Sequence, residues 1–460
     1  MQCDTYAPGE VRIGADGAES ALELVRLFRS AERFVFFSSF LCDLTHPLPL
    51  PRGDGLNLQI LFRELVTRGV AVHILYNNET AYSTLTLDQF RKMLPPAVHV
   101  RAVSGSGHLP AAARLFCANT RFTNHHQKYV CVDGAQMMIG GTDINAQRAG
   151  WLQLNGSSPR EYCWHETSVT VPCTPRMLDF VVRNFRAIEP TVPFPLLRGG
   201  ASEHAVLLHL IKNARSCIHM EAQTCISTGK TANTVFTAVA RRVARAFSDP
   251  HVDRFHFFFL TNTFQIDENH LISNVSREHL HWSRRHLWSE MRTRGVPDDF
   301  IHARVFFGFM EAPRHTHVKI HSNMIIQDGH TLLRSSSNFT DRSLSPRPCD
   351  NELGVLIHGQ VVAHFQQKIW RRYFAITDPD VLLTPELSRR LMVKESGVIR
   401  RYRPRWFSDA IPNAVVNTVM SLIHNTRFFG GREKITWKVS HDASHARPRR
   451  RIPRGLKTKR

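Results

Sequence analysis

The stretch His125-His126-Gln127-Lys128-Tyr129-Val130-Cys131-Val132-Asp133-Gly134-Ala135-Gln136-Met137-Met138-Ile139-Gly140-Gly141-Thr142-Asp143 decides how this chain is read. Tyr129–Val132 and Gln136–Ile139 are β-prone runs on either side of Asp133-Gly134, a strong hairpin signal. Alternate side chains of an extended chain share a face, so His126 and Lys128 project together while Gln127 points away. The small pair Gly140-Gly141 lets backbone approach a ligand closely. An imidazole, an ammonium and a nearby carboxyl or amide suit phosphodiester chemistry, as nucleophile, counter-charge and orienting group. A single run of this kind would mean little, because any exposed strand can carry H-x-K.

A second copy changes that reading. His321-Ser322-Asn323, then Asp328, then Ser335-Ser336-Ser337-Asn338 repeat every spacing of the first run. Both follow H-x-(K or N)-x4-D-x6-(GG or SS)-x-(D or N). The duplication predicts two similar halves, each contributing one histidine to one site. Asn323 stands where the first copy has lysine. Upstream, His317-Val318-Lys319 is an H-x-K, but five residues beyond Lys319 lies Met324 instead of aspartate. Lys319 sits two residues before His321, hence on the same extended face, and is a candidate for the missing positive charge.

Together these runs resemble the phospholipase D superfamily, whose members carry two H-x-K-x4-D motifs, and most closely the phospholipase D proper branch. The likeness includes the paired His125-His126, Gly140-Gly141-Thr142-Asp143-Ile144 and Trp164-His165-Glu166. It also includes Glu221-Ala222-Gln223, and Asn338-Phe339-Thr340-Asp341-Arg342-Ser343 followed by Asp350-Asn351-Glu352. The second motif departs from the family at Asn323 and Ser335, where the family has lysine and glycine. The resemblance implies an α/β chain of two similar phospholipase D-like lobes. Each would be a mixed β-sheet covered by helices, with the active site at the pseudo-twofold interface.

The resemblance further implies that His126 is the nucleophile, that His321 is the general acid and base, and that Lys128 grips the nonbridging oxygens. An acidic residue of each lobe would orient the other lobe's histidine, Glu352 for His126 and Glu166 for His321. Asp143, Asn338, Asn323, Lys319 and Ser336 are expected around the phosphate. Asp133 and Asp328, grouped with the catalytic set, are expected to anchor the motif strands. No metal or other cofactor is implied. The activity implied is cleavage or exchange of phospholipid headgroups. The same two-histidine chemistry also serves nucleases, and Asn323 keeps open a third reading, a degenerate protein that binds membranes or partners without turnover.

Composition narrows the setting. The chain has 460 residues and ample apolar content for real cores. Met1–Gly14 has no apolar stretch of the signal-peptide kind. Phe34–Cys42 and Phe255–Leu260 are too short to span a bilayer and read as buried strands. A soluble or peripheral, intracellular monomer is expected. Nine cysteines, odd in number and without C-x-x-C spacing, argue against a disulfide framework or a zinc site. The net charge of +20 favours anionic partners: acidic phospholipid surfaces first, nucleic acid second. The tail Arg447–Arg460 has no acidic residue and is expected to be disordered, either a solubilising tail or a nuclear-localisation or electrostatic tether.

Along the chain, residues 1–195 and 196–376 read as the two lobes, 377–440 as a C-terminal appendage and 441–460 as the basic tail. Helices are expected over Ala21–Arg29, Leu56–Thr67 and Met177–Ile188, with strands Phe34–Leu41, Val70–Tyr76 and His99–Val103. The second lobe repeats the order with helices His204–Asn213, Thr231–Phe247, His286–Arg294 and Val361–Phe374, and strands Cys217–Ile226, Phe255–Thr261 and Ala303–Phe309. Alternation of this sort predicts largely buried sheets with covering helices. Pro190–Pro195 is the expected linker, and Pro385–Val393 and Ala414–His424 are expected helices of the appendage.

Overall fold

The computed structural model describes residues 9–40, 42–50, 55–77, 86–103, 125–140, 143, 162–186, 192–223, 225–226, 230–249, 254–262, 283–312, 316–345 and 350–401. The expected helix Ala414–His424, the basic tail, part of the Pro190–Pro195 linker, and Gly141, Thr142 and Ile144 lie outside these residues.

The first sheet holds β1 (Arg12–Gly14), β2 (Phe34–Ser39), β3 (Ala71–Asn77), β4 (His99–Val103), β5 (Tyr129–Val132), β6 (Gln136–Ile139) and β8 (Ser168–Pro172), in the order β1-β8-β6-β5-β2-β3-β4. In the second, β9 (Leu196–Arg198), β10 (Cys217–Ala222), β12 (His256–Thr261), β13 (Val305–Ala312), β15 (Asn323–Gln327), β16 (Thr331–Ser335) and β18 (Leu353–His358) repeat that order as β9-β18-β16-β15-β10-β12-β13. Strand directions match as well. β2, β3 and β4 are parallel, as are β10, β12 and β13, and the motif hairpins β5–β6 and β15–β16 join antiparallel. The duplication seen in the motifs is therefore a duplication of topology.

The two hairpins turn on the same chemistry. Asp133 and Asp328 both sit at φ 54°, each followed by a glycine at φ 67° or 68°. Aspartate tolerates this left-handed region better than most residues because its short side chain bonds locally. Asp133 accepts from the amides of Glu32, Arg33 and Phe34 at 2.8 Å. Asp328 does the same for Arg215, Ser216 and Cys217. Each aspartate thus pins the start of the central strand, β2 or β10, to the turn of its motif hairpin.

Side-chain alternation divides the sheets between three cores. Val35 and Phe37 face the helices Gly17–Ser30 and Leu58–Thr67, capped by Asp16 and Asn57. Met220, Phe257 and Phe259 face Ala201–Asn213 and Lys230–Ser248. The inner faces meet in one shared core that includes Phe36, Cys131, Phe258, Leu260, Met324 and Leu332. Helices Pro175–Phe185 and Gln360–Phe374 feed Met177, Phe180, Phe365 and Trp370 into the same core. The result is two mixed sheets, inner faces toward each other, covered by helices.

Several expected boundaries shift. Cys217–Ile226 is broken after Ala222, and β11 (Cys225–Ile226) pairs instead with β17 (Phe339–Thr340). The expected strand Ala303–Phe309 begins at Val305, because Asp298–Arg304 is helical. β7 (Tyr162–His165), from the first half of the chain, joins the second sheet by pairing with β14 (Thr316–Ile320). A cut at residue 195 is therefore crossed by a strand. At the far end, β19 (Ile399–Arg401) pairs with β13, so this part of the expected appendage extends the second sheet. Among the described residues no helix is long and apolar enough to cross a membrane.

Candidate active site

Each motif histidine lies just before its motif strand, at the point where the two halves of the chain are stitched together. The His126 amide donates to Asn351 O at 3.0 Å, and the His321 amide donates to His165 O at 2.8 Å. These acceptors immediately precede Glu352 and Glu166 in sequence, so each exchange delivers a glutamate of one half to the histidine of the other. His126 Nδ1 lies 2.8 Å from Glu352 Oε2, and His321 Nδ1 lies 2.5 Å from Glu166 Oε2. All four residues are buried, the histidines at 7% and 6% exposure and the glutamates at 1%. Burial works to raise the Glu352 carboxyl, but His126, Lys128 and Ser336 outweigh it and hold it below the ordinary carboxylate range.

An aromatic ring backs each histidine. Phe40 lies 4.6 Å from His126, ring centre to ring centre, and Lys128 Nζ lies 5.2 Å from the same ring. The two motif side chains do share a face. Trp164 lies 4.7 Å from His321, with Lys319 Nζ 4.4 Å above its ring. Lys319 and His321 thus both contact the Trp164 indole.

The charges differ between halves. Lys128 Nζ sits 3.5 Å from Asp143 Oδ2, and Asp143 is held by the Ser39 hydroxyl and the Phe40 amide, both at 2.9 Å. In the second half the matching pair is neutral: Asn323 Nδ2 lies 3.5 Å from Asn338 Oδ1. Asn323 Oδ1 accepts from the Gln223 amide at 2.9 Å, so the residue expected at the phosphate also ties β15 to the chain after β10. Ser336, likewise expected there, donates to Glu352 at 2.5 Å and accepts from the Leu353 amide at 3.0 Å. Its hydroxyl positions the carboxylate. Asp133 and Asp328, grouped with the catalytic set and expected to anchor the motif strands, do the anchoring: they stand at the ends of β5 and β15 away from the histidines and accept from backbone amides there.

Two buried groups escape the motif reading, and a third, Glu221, enters it only as part of a strand. Arg334 donates from Nη2 to Glu166 Oε1 at 2.5 Å and from Nε to Thr167 O at 3.0 Å. Glu203 accepts from the Ser337 and Ser335 hydroxyls at 2.7 and 2.9 Å, and burial pushes it up to about 7. Behind His321, Glu221 bonds His165 at 3.0 Å and receives the hydroxyls of Tyr373 and Ser322. Arg334 follows Leu332-Leu333 on a buried strand, the one local signal that its charge needs a partner; Glu203, on an ordinary helix, carries no such mark. Among the described residues no group of histidine, cysteine, aspartate and glutamate has the arrangement of a metal site.

No protein-family model and no curated protein matches the chain. Solved structures do. The phosphatidylserine synthase of Haemophilus influenzae superposes with a TM-score of 0.55 at 13% identity, over 84% of this chain and 92% of that one. The polyphosphate kinase of Porphyromonas gingivalis gives 0.44 at 9% identity, over 84% and 56%. Yeast tyrosyl-DNA phosphodiesterase gives 0.41 at 10%, over 76% and 91%. The chain has the two-sheet, helix-covered α/β fold of the synthase.

Proposed function

We propose that this protein is a phosphodiesterase that cleaves or exchanges phospholipid headgroups through a phosphohistidine. The observation that carries the reading is the reciprocal pairing of His126 with Glu352 and of His321 with Glu166. A carboxylate only accepts, so each Nδ1 holds a proton and Nε2 carries the lone pair of the neutral ring. His126 Nε2 attacks phosphorus; the P–N bond forms as the P–O bond to the leaving alcohol breaks. Protonated His321 gives its Nε2 proton to that alcohol. Neutral His321 then takes a proton from water or a second alcohol, whose oxygen attacks phosphorus and expels His126. Lys128 offsets charge on the nonbridging oxygens. The lipid assignment rests on the paired His125-His126 and on Gly140-Gly141 with Asp143. The net charge of +20 favours a second reading, a nuclease of the same chemistry.

The test is product analysis with labelled phosphatidylcholine vesicles plus a primary alcohol, beside DNA and RNA cleavage. Phosphatidyl-alcohol is the expected product. Nucleic-acid cuts alone would transfer the reading to the nuclease, and no turnover of either would leave a binding protein. Rapid quenching without acid should show phosphate on His126, absent in His126→Ala; an adduct on His321 would reverse the roles.

A further inference from the structure

The two dyads are held by different chemistry. Glu352 takes hydroxyl donors from Ser336 at 2.5 Å and Ser343 at 2.8 Å. Glu166 takes a guanidinium, from Arg334 at 2.5 Å. The register identifies the counterpart of Arg334 in the first half: Arg334 pairs across its hairpin with Met324, as Ile139 pairs with Tyr129. An apolar residue in one copy is a buried cation in the other, and the same second copy carries Asn323 instead of lysine.

Space for that cation comes from the opposite half. A Cβ on Gly140 would lie 2.8 Å from Arg334 Nη2 and 2.9 Å from Thr167 O, so the guanidinium rests where the first motif has no side chain. Its three nitrogens donate to Thr167 O, Ser335 O and Glu166 Oε1, and the residue is 1% exposed. A buried ion with each of its three nitrogens bonded to a different acceptor is held in one geometry. Glu166 is then divided, Oε1 to Arg334 and Oε2 to His321 Nδ1. With both oxygens occupied, the carboxylate plane is fixed, and with it the ring it holds.

We propose that Arg334 is a positioning residue for the second histidine: by clamping Glu166 it fixes the His321 imidazole, and it returns to this half the positive charge that Asn323 removed. The proposal rests on the two-histidine reading above. It concerns residues that touch Glu166, not the substrate, so its signature is a loss in the chemical step with substrate affinity preserved.

The test compares Arg334→Gln and Arg334→Lys with wild type, using kcat and KM together with ring 15N spectra of histidine-labelled protein. His321 and His126 signals are assigned by their loss in His321→Asn and His126→Asn. Arg334→Gln is expected to lower kcat about 10- to 100-fold, the range for a hydrogen bond to a charged group, with KM within about twofold. Arg334→Lys should recover most of that loss and stay several-fold below wild type. The His321 ring signals should move and those of His126 should not. An unchanged His321 signal overturns the proposal, as does an equal loss in both variants without a His321 change. If Arg334→Gln is recovered unfolded, Arg334→Lys decides alone: an altered His321 signal supports the clamp, and wild-type kcat with an unaltered signal refutes it. Wild type without turnover on any phosphodiester would sink the enzymatic reading, and the His321 spectra would still decide the clamp.

Discussion

Replacing Glu203 by glutamine should make the protein more stable at pH 8 than at pH 5, relative to wild type. Glu203 is completely buried on the first turn of helix Ala201–Asn213, where Ser335 and Ser337 donate to Oε2 and Oε1 has no hydrogen-bond partner among the described residues. Burial raises its carboxyl from 4.5 to about 7, against the pull of Ser337, and nearby Glu352 adds to the rise. An acid raised in the folded state binds its proton more tightly there than in the unfolded chain. Stability therefore falls as pH climbs from 4.5 toward 7, and the loss is complete above 7. The cost is about 3 kcal/mol, most of it arising between pH 5 and pH 8. Glutamine keeps the shape and an acceptor for the serines but has no proton to lose. Urea unfolding of both proteins at several pH values measures the gap between them, in which titrating groups that do not interact with Glu203 cancel. The gap should widen by about 2–3 kcal/mol from pH 5 to pH 8. A gap that is constant with pH would refute the argument.

Gly140→Ala should displace the Arg334 guanidinium and strain a backbone at φ +80°, costing about 1–3 kcal/mol in urea unfolding and lowering turnover as well. Wild-type stability would show that the two halves do not meet there. Asn323→Lys should not raise activity: it strips the acceptor from the Gln223 amide, and a loss of about 1–3 kcal/mol of stability is expected. A faster enzyme would mean that the side chain swings into the site and that the amide tie is dispensable. Glu352→Gln should cut the rate of phosphohistidine formation about 10²-fold or more, measured by single-turnover quench. An unchanged rate would remove Glu352 from the assembly that orients His126.

Much of the site was legible because its signals are local. A turn made of Asp-Gly, four β-prone residues on each side and a histidine at a constant offset are all encoded within twenty residues. Occurring twice, they announced paired hairpins: β5–β6 has the expected ranges, and the second copy forms β15–β16. Likewise His126 and Lys128 were expected on one face, and both contact the Phe40 ring. Boundaries failed where the competing influence was distant. Glu221-Ala222-Gln223 looked like an unbroken strand, yet the chain leaves the sheet after Ala222, where the Gln223 amide bonds Asn323, about a hundred residues away in the chain.

The sequence by itself determined that the chain is double, that each copy carries a histidine before a hairpin, and that the second copy lacks the motif lysine. Strand period and turn chemistry act over neighbouring residues, so a single chain displays them. Only the tertiary structure decided that β7 crosses into the second sheet, that Arg334 reaches Glu166 over a bare Gly140, and that Glu203 is buried against the hydroxyls of Ser335 and Ser337. Those outcomes depend on which surfaces come together. A buried charge is tolerated only where a partner from a remote segment completes its bonds, and no local pattern names that partner.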